Sequence, residues 1–282
     1  MNVALLAVKT GLRATSVVAP GLAGKMAFAL FCRLKSPAPV RATDAEMHAQ
    51  AVVDHMIHDG RRIALYQWGD GANPVLMVHG WESRGSRYAT LAKELLARGF
   101  SPVTFDAPGN GDSEGNRTTL LEYATIIEEL HRRYGPFRAI VSHSFGTLAT
   151  FQALRAGVKA DKVATICGVS EFSYLVDVFS DVLGLTPKVR SDLTVRFAGL
   201  FPQEHDIYRR FSATHEAESV TIPVLVVHDT DDAKVSMRQA QTMADAFPNA
   251  RLVTTSGLGH NRILTDPTTI GVIADFVTET AQ

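Results

Sequence analysis

The sequence predicts an α/β fold: a mostly parallel, eight-stranded sheet with helices on both faces, broken once by a small helical insertion. Three observations carry this. From residue 75 onward, short apolar runs alternate with segments of helical period, the pattern of a parallel sheet crossed by helices. Several runs, such as Val75-Leu76-Met77-Val78 and Val224-Leu225-Val226-Val227, are continuously apolar, as strands buried on both faces are. The rhythm stops between Glu171 and Thr221 and then resumes.

Taken in order, residues 1–43 form a basic, apolar arm. Six basic residues (Lys9, Arg13, Lys25, Arg33, Lys35, Arg41) and no acid lie among apolar pieces. None of these pieces reaches the roughly 20 apolar residues a membrane span needs. A secretory signal also fits poorly, because Met1-Asn2 carries no charge and Lys9 cuts the apolar run short. Leu22, Met26, Leu30 and Leu34 recur every four residues with Phe31 alongside, which predicts a helix with an apolar side. Pro20-Gly21 separates it from a preceding helix. Three uses compete for the arm: peripheral contact with an anionic membrane, helices near a substrate entrance, or an arm packed on the domain.

Residues 44–170 open the core. A short helix over 44–51 leads to strands at Val52 to His58 and Arg61 to Trp68, joined by the hairpin signal Asp59-Gly60. The buried strand 75–78 stops at His79-Gly80-Trp81. Tyr88, Leu91 and Leu95 mark one face of a helix that Gly99 ends. The strand 102–105 runs into Asp106-Ala107-Pro108-Gly109-Asn110-Gly111-Asp112-Ser113. Leu120, Ala124, Ile127, Leu130 and Tyr134 have helical spacing, and Gly135-Pro136 closes that helix. Strands then follow at Ala139 to Val141 and Lys162 to Gly168. The insertion 171–221 is mostly helical and rich in aromatics, among them Phe172, Tyr174, Phe197 and Phe211. It follows a strand's carboxyl end, where open α/β sheets bind ligands, and reads as a cap whose aromatics mostly form its own core. Residues 222–282 complete the sheet with strands 224–228 and 251–255 and helices 237–247 and 268–278.

Composition narrows the function. At 282 residues with 46% hydrophobic content, the chain can bury a sizeable core. A net charge of −1 with both signs interspersed gives no nucleic-acid surface. Cys32 and Cys167 are the two cysteines and lie far apart, so no disulfide framework or cysteine metal site is available. That favours a reducing compartment and leads us to expect a cytoplasmic location. Gly109-Asn110-Gly111 opens like a dinucleotide fingerprint, but Glu114 stands at the third glycine position. There is no P-loop lysine and no His-Glu-x-x-His pair, and we expect neither cofactor nor metal.

Chemistry concentrates at strand ends. Ser142-His143-Ser144-Phe145-Gly146 joins a strand to a helix, an arrangement that can hold one side chain exposed at a sharp turn. Taken alone, the string also fits an ordinary turn serine. Activating a serine takes a base, and a third group to orient that base. His260 lies in the glycine-rich loop after the last strand, and Asp232 in the loop after the strand before it. Ser144, Asp232 and His260 thus all follow strand ends, in the order Ser, Asp, His. Asp229, Asp231 and Glu171 are rival acids. His48, His55, His58, His131, His205 and His215 are expected to be solvated.

With His79-Gly80-Trp81, the 106–113 loop, the 142–146 string, Asp232 and Gly259-His260 in this order, the chain resembles the α/β-hydrolase superfamily over roughly residues 52–280. The resemblance implies that Ser144 is the nucleophile, His260 its base and Asp232 the acid. The spacing to Val235-Ser236 favours Asp232 over its neighbours. It further implies that the backbone N–H groups of Trp81 and Phe145 form the oxyanion hole, each worth about 2.7–4 kcal/mol, and that His79 and Asp106 are structural. Ser142 stands where the first glycine is usual, Thr147 where a glycine is frequent, and Asn110 where histidine is common. The implied activity is hydrolysis of a moderately hydrophobic small-molecule carboxylic ester through an acyl-enzyme. Thioester hydrolysis, acyl transfer and C–C cleavage use the same triad. A silent receptor or scaffold on the same fold is the alternative of another class.

Overall fold

The computed structural model describes residues 3–34 and 37–279. Met1-Asn2 and Lys35, used above to characterise the arm, lie outside the described residues. The chain forms two compact units: residues 34–170 with 213–282, and residues 1–33 with 171–212.

The larger unit is built on an eight-stranded sheet in the order β1-β2-β4-β3-β5-β6-β7-β8. The strands are β1 (Val52–His58), β2 (Arg61–Gln67), β3 (Pro74–Val78), β4 (Ser101–Phe105), β5 (Ala139–His143), β6 (Val163–Ile166), β7 (Val224–Asp229) and β8 (Ala250–Thr255). Only β2 runs against the others: β1–β2 and β2–β4 are antiparallel, and every later pairing is parallel. Asp59 and Gly60 both take positive φ, 46° and 75°, the geometry of a tight hairpin whose twist matches its strands. The central strands bury every side chain, as the continuously apolar runs require.

Chain order and sheet order part company at β3. The chain steps from β3 to β4 on one side, then returns to place β5 on the other. Such a reversal splays the loops at the strands' carboxyl ends and opens a crevice there. Register keeps those ends nearly level, with Val78 beside Ser142, His143 beside Ile166, and Asp229 beside Thr255.

The helices, in chain order, are α1 (Val3–Val18), α2 (Pro20–Cys32), α3 (Ala42–Ala49), α4 (Ala89–Ala97), α5 (Leu120–Tyr134), α6 (Gly146–Arg155), α7 (Phe172–Leu183), α8 (Pro187–Ala198), α9 (Ile207–Arg210), α10 (Met237–Ala246), α11 (Gly259–Arg262) and α12 (Pro267–Thr278). On one face of the sheet, Leu91 and Leu95 of α4 and Ile273 and Val277 of α12 share a fully buried core with Val75, Met77 and Val141. Each such aliphatic side chain contributes roughly 1.5–3 kcal/mol through burial.

The smaller unit joins α1 and α2 of the arm to α7, α8 and α9 of the insertion. Phe31 sets its ring edge-on to Phe197 and Phe179 at 4.5 and 5.0 Å, and Phe28 meets Phe197 at 5.3 Å. A Cβ on Gly24 would overlap the Asp192 side chain, so any larger residue there would have to push that side chain aside where α2 meets α8. The boundaries therefore differ from those read from composition. Residues 213–221 fold with the sheet, where Ala213 N–H donates to Ser170 O and the Arg155 guanidinium donates to the carbonyls of Ala213 and His215. The predicted apolar side of α2 is its outward side: Leu22, Met26 and Leu30 are exposed, and the buried side is made by Ala23, Gly24 and Ala27. Among the described residues, no helix is long and apolar enough to cross a membrane.

Candidate active site

Ser144 sits between β5 and α6 with φ +54°, a left-handed conformation that costs a non-glycine residue about 1 kcal/mol or more. Backbone bonds hold it there. Ser144 N–H donates to Ile166 O at 3.1 Å, and its carbonyl accepts from Thr147 and Val169 N–H, both at 3.2 Å. The flanking small residues have steric reasons. A Cβ on Gly146 would lie 2.6 Å from Val78 O and 2.7 Å from His79 O, and one on Gly80 would lie 3.0 Å from the Ser144 Cβ. The two departures from the usual pattern explain each other: the Ser142 and Thr147 hydroxyls are both buried and hydrogen-bond at 3.1 Å. Gly168 leaves room for this pair, since a Cβ there would lie 2.6 Å from Thr147 Oγ1.

Of the three rival acids near β7, Asp232 meets His260: its Oδ2 accepts from His260 Nδ1–H at 2.6 Å. Its Oδ1 accepts from Lys234 and Val235 N–H at 2.7 and 3.0 Å. Burial opposes the carboxylate's charge, but the hydrogen bonds from His260 and from these amides outweigh it and hold the group below the usual carboxylate range. Asp229 does different work. It is fully buried, and its two oxygens accept from Asp231, Leu258 and Gly259 N–H and from the Thr255 hydroxyl, tying the β7 loop to the segment that carries His260. Asp231 accepts from Gly257 N–H. Glu171 begins the insertion, just before α7, in the smaller unit.

His260 falls on the four-residue turn α11 rather than in open loop. The sequence reading did not foresee its link to the elbow, His143. This ring is buried, lies 4.6 Å from the His260 ring, and donates from Nε2–H to His260 O at 3.0 Å. Ser144 and His260 are thus carried on adjoining strand-end segments joined through His143. Among the described residues, the Ser144 hydroxyl makes no hydrogen bond to His260; in enzymes, contacts between a nucleophile and its base are often longer before substrate binds.

The loop after β3 is fixed from behind. His79 Nδ1–H donates to Gly80 O at 2.7 Å, and its Nε2 accepts from Ala107 N–H at 3.0 Å. A carbonyl can only accept, so this pairing sets the tautomer. Tyr123, another residue the sequence reading passed over, donates its hydroxyl to Gly80 O at 3.3 Å. The Phe145 ring packs edge-on to Trp81 at 5.4 Å and to Tyr123 at 5.3 Å. Phe145 N–H, at the amino end of α6, donates to no group among the described residues. Helix termini favour negative charge at such a position. Asp106 accepts from Gly85 and Asp112 N–H at 2.7 and 2.8 Å, a bracing role between two loops.

Not every histidine expected in solvent lies there. His48 is half-buried against the Tyr66 ring at 4.8 Å, and His131 Nε2 accepts from Lys159 N–H. Among the described residues, two groups of side chains gather metal-binding atoms within 4.8 Å, Cys167-His228-Asp232 and His58-Asp59-Glu122. In the first, the Asp232 oxygens already serve His260 and two amides. In the second, Arg61 already supplies the cation, pairing with Asp59 and Glu122.

Buried imidazoles give the fold a pH dependence. Burial pushes His143 down to about 3, with nearby His260 adding to it, and burial also lowers His79 and His228. Below about pH 6.5 the unfolded chain binds protons on these rings more readily than the folded chain does. Stability is therefore full above that pH and falls as pH drops toward 3. His143 alone accounts for about 1.4 kcal/mol per pH unit in that window. Urea midpoints should be lower at pH 5 than at pH 7, and His143→Gln should shrink the difference, leaving the part owed to His79 and His228. Equal midpoints at both pH values would refute this account.

Residues 75–270 match the alpha/beta hydrolase family. The chain is 24% identical over 230 residues to the zebrafish (Danio rerio) lysophosphatidylserine lipase ABHD12, covering 72% of this chain and 57% of that relative's length. A monoacylglycerol lipase from Paleococcus ferrophilus superposes with a TM-score of 0.59 at 23% identity, over 76% of this chain and 98% of that one. Mouse alpha/beta hydrolase domain-containing protein 10 gives 0.63 at 17% identity, over 80% and 97%. At these identities the solved structures speak for the fold, and the match over 75–270 speaks for the family. The chain belongs to the alpha/beta hydrolase family.

Proposed function

We propose that this protein is a serine hydrolase that cleaves carboxylic esters through an acyl-enzyme on Ser144. The observation that carries the reading is the bond from His260 Nδ1–H to Asp232 Oδ2 at 2.6 Å, made at the same strand ends as the strained Ser144 elbow. With the proton held on Nδ1, His260 Nε2 is left basic. It takes the Ser144 proton as Oγ attacks the ester carbonyl and returns it to the leaving alcohol. Water then repeats the sequence on the acyl-enzyme, releasing the acid. Phe145 N–H and Trp81 N–H stabilise the tetrahedral oxyanion.

Esters with a hydrophobic acyl chain are the proposed substrate class. The lipase names of ABHD12 and of the Paleococcus enzyme support that choice. A fluorophosphonate probe should label the wild-type chain at Ser144 alone. p-Nitrophenyl esters should be turned over with kcat/KM rising as the acyl chain lengthens beyond acetate. A chain that neither labels nor turns over any ester would be a non-catalytic scaffold, contrary to the proposal.

A further inference from the structure

The outward face of α2 is the feature that ester chemistry leaves unexplained. Leu22, Met26, Leu30, Lys25, Ala29 and Arg33 are all exposed and follow helical spacing, so they form a single stripe. Its apolar members are 53%, 44% and 38% exposed. The opposite side of α2 is already used: Ala23, Gly24 and Ala27 are buried, and Phe28 and Phe31 pack on Phe197. The stripe is therefore an addition to the core-facing side of the helix. At the junction of α1 and α2, Val17 and Val18 extend the apolar surface at 84% and 86% exposure. The charge on these helices has one sign. Arg13, Lys25 and Arg33 are exposed and Lys9 is partly so, with no acid before Asp44.

We propose that this face docks on an anionic lipid bilayer, with the apolar stripe entering the headgroup boundary and the basic residues contacting lipid phosphates. Apolar side chains flanked by uncompensated cations suit a negatively charged, apolar-backed surface. A second copy of this face would bring like charges together. The helices are too short to span the membrane, so the contact is peripheral and reversible. Each basic residue held near an anionic surface raises partitioning by about fivefold at low salt, and screening should weaken the effect as ionic strength rises.

The test is co-sedimentation of the full chain carrying Ser144→Ala, which keeps lipid turnover out of the measurement. Vesicles of phosphatidylcholine with phosphatidylglycerol are compared with phosphatidylcholine alone. Binding is expected to the mixed vesicles only, and to decline with added salt. Leu22→Ser/Met26→Ser/Leu30→Ser should cut partitioning by more than about tenfold. Lys25→Glu/Arg33→Glu should do so by at least about 25-fold at low salt. Circular dichroism would confirm that both variants are folded, and the charge variant leaves every apolar contact in place. No binding to anionic vesicles at low salt, or binding unchanged in both variants, overturns the proposal. So does self-association in sedimentation velocity that the triple serine variant abolishes while vesicles leave the parent chain in solution. That outcome would assign the face to a second copy. Ester hydrolysis enters none of these readouts, so this inference and the proposed activity fail separately.

Discussion

Ser144→Ala is expected to lower kcat by on the order of 10⁶ while leaving the fold intact. The elbow is held by the backbone of residue 144, through Ile166, Thr147 and Val169, and alanine keeps all three bonds. Only Oγ is lost. What remains is catalysis by the oxyanion donors and substrate binding, roughly 10³–10⁴ above the uncatalysed rate. Ser144→Gly separates chemistry from strain. It should lose as much activity, yet gain about 1 kcal/mol of stability, because glycine adopts φ +54° at no steric cost. Single-turnover kinetics and urea unfolding on the same preparations check both expectations. Appreciable ester hydrolysis by the alanine variant would remove Ser144 from the nucleophile's place.

The sheet was largely legible because its signals are local. Continuous apolar runs mark strands buried on both faces, and Asp59-Gly60 marks a hairpin whose central residues need positive φ. The use of the arm stayed open for a physical reason. Periodicity detects an apolar stripe but cannot say what the stripe faces. In α2 the larger apolar residues point outward, and the buried side is built from small ones, Ala23, Gly24 and Ala27. Small residues signal close helix approach only when the partner helix is known, and α8 lies far along the chain.

The site divides in the same way. Ser144, Asp232 and His260 could be selected because each follows a strand end, a property of local sequence. The spacing to Val235-Ser236 favoured Asp232 over Asp229 and Asp231, but what each carboxylate accepts needed coordinates, since all three share one short loop and differ in where their oxygens point. His143 and Tyr123 act through contacts that no spacing encodes: one with a carbonyl 117 positions away, the other with Gly80, 43 positions away. The Ser142–Thr147 hydrogen bond lies between these cases. Two unusual residues five apart stood out in the sequence, and their compensation could have been inferred from the need of each buried hydroxyl for a partner.

Asp232→Asn should separate the orienting role of the acid from its structural one, with kcat falling about 10⁴-fold and the fold retained. Oδ1 of Asp232 accepts from the N–H groups of Lys234 and Val235. An asparagine must keep its carbonyl there to avoid leaving two donors unpaired. Its NH₂ is then aimed at His260 Nδ1 and can only donate. The imidazole is forced into the other tautomer, with its proton on Nε2 and no lone pair for the Ser144 hydroxyl. The substitution thus removes the base without removing the histidine. KM should change little, because no substrate contact is touched, and the loss should appear in kcat. Asp229→Asn is the control. Both of its oxygens accept hydrogen bonds from the 255–259 segment, so an amide there pairs a donor with a donor and lowers stability first. If Asp229→Asn lost 10⁴ in kcat at unchanged stability and Asp232→Asn did not, the acid would have to be reassigned to Asp229, against the hydrogen bond seen at His260.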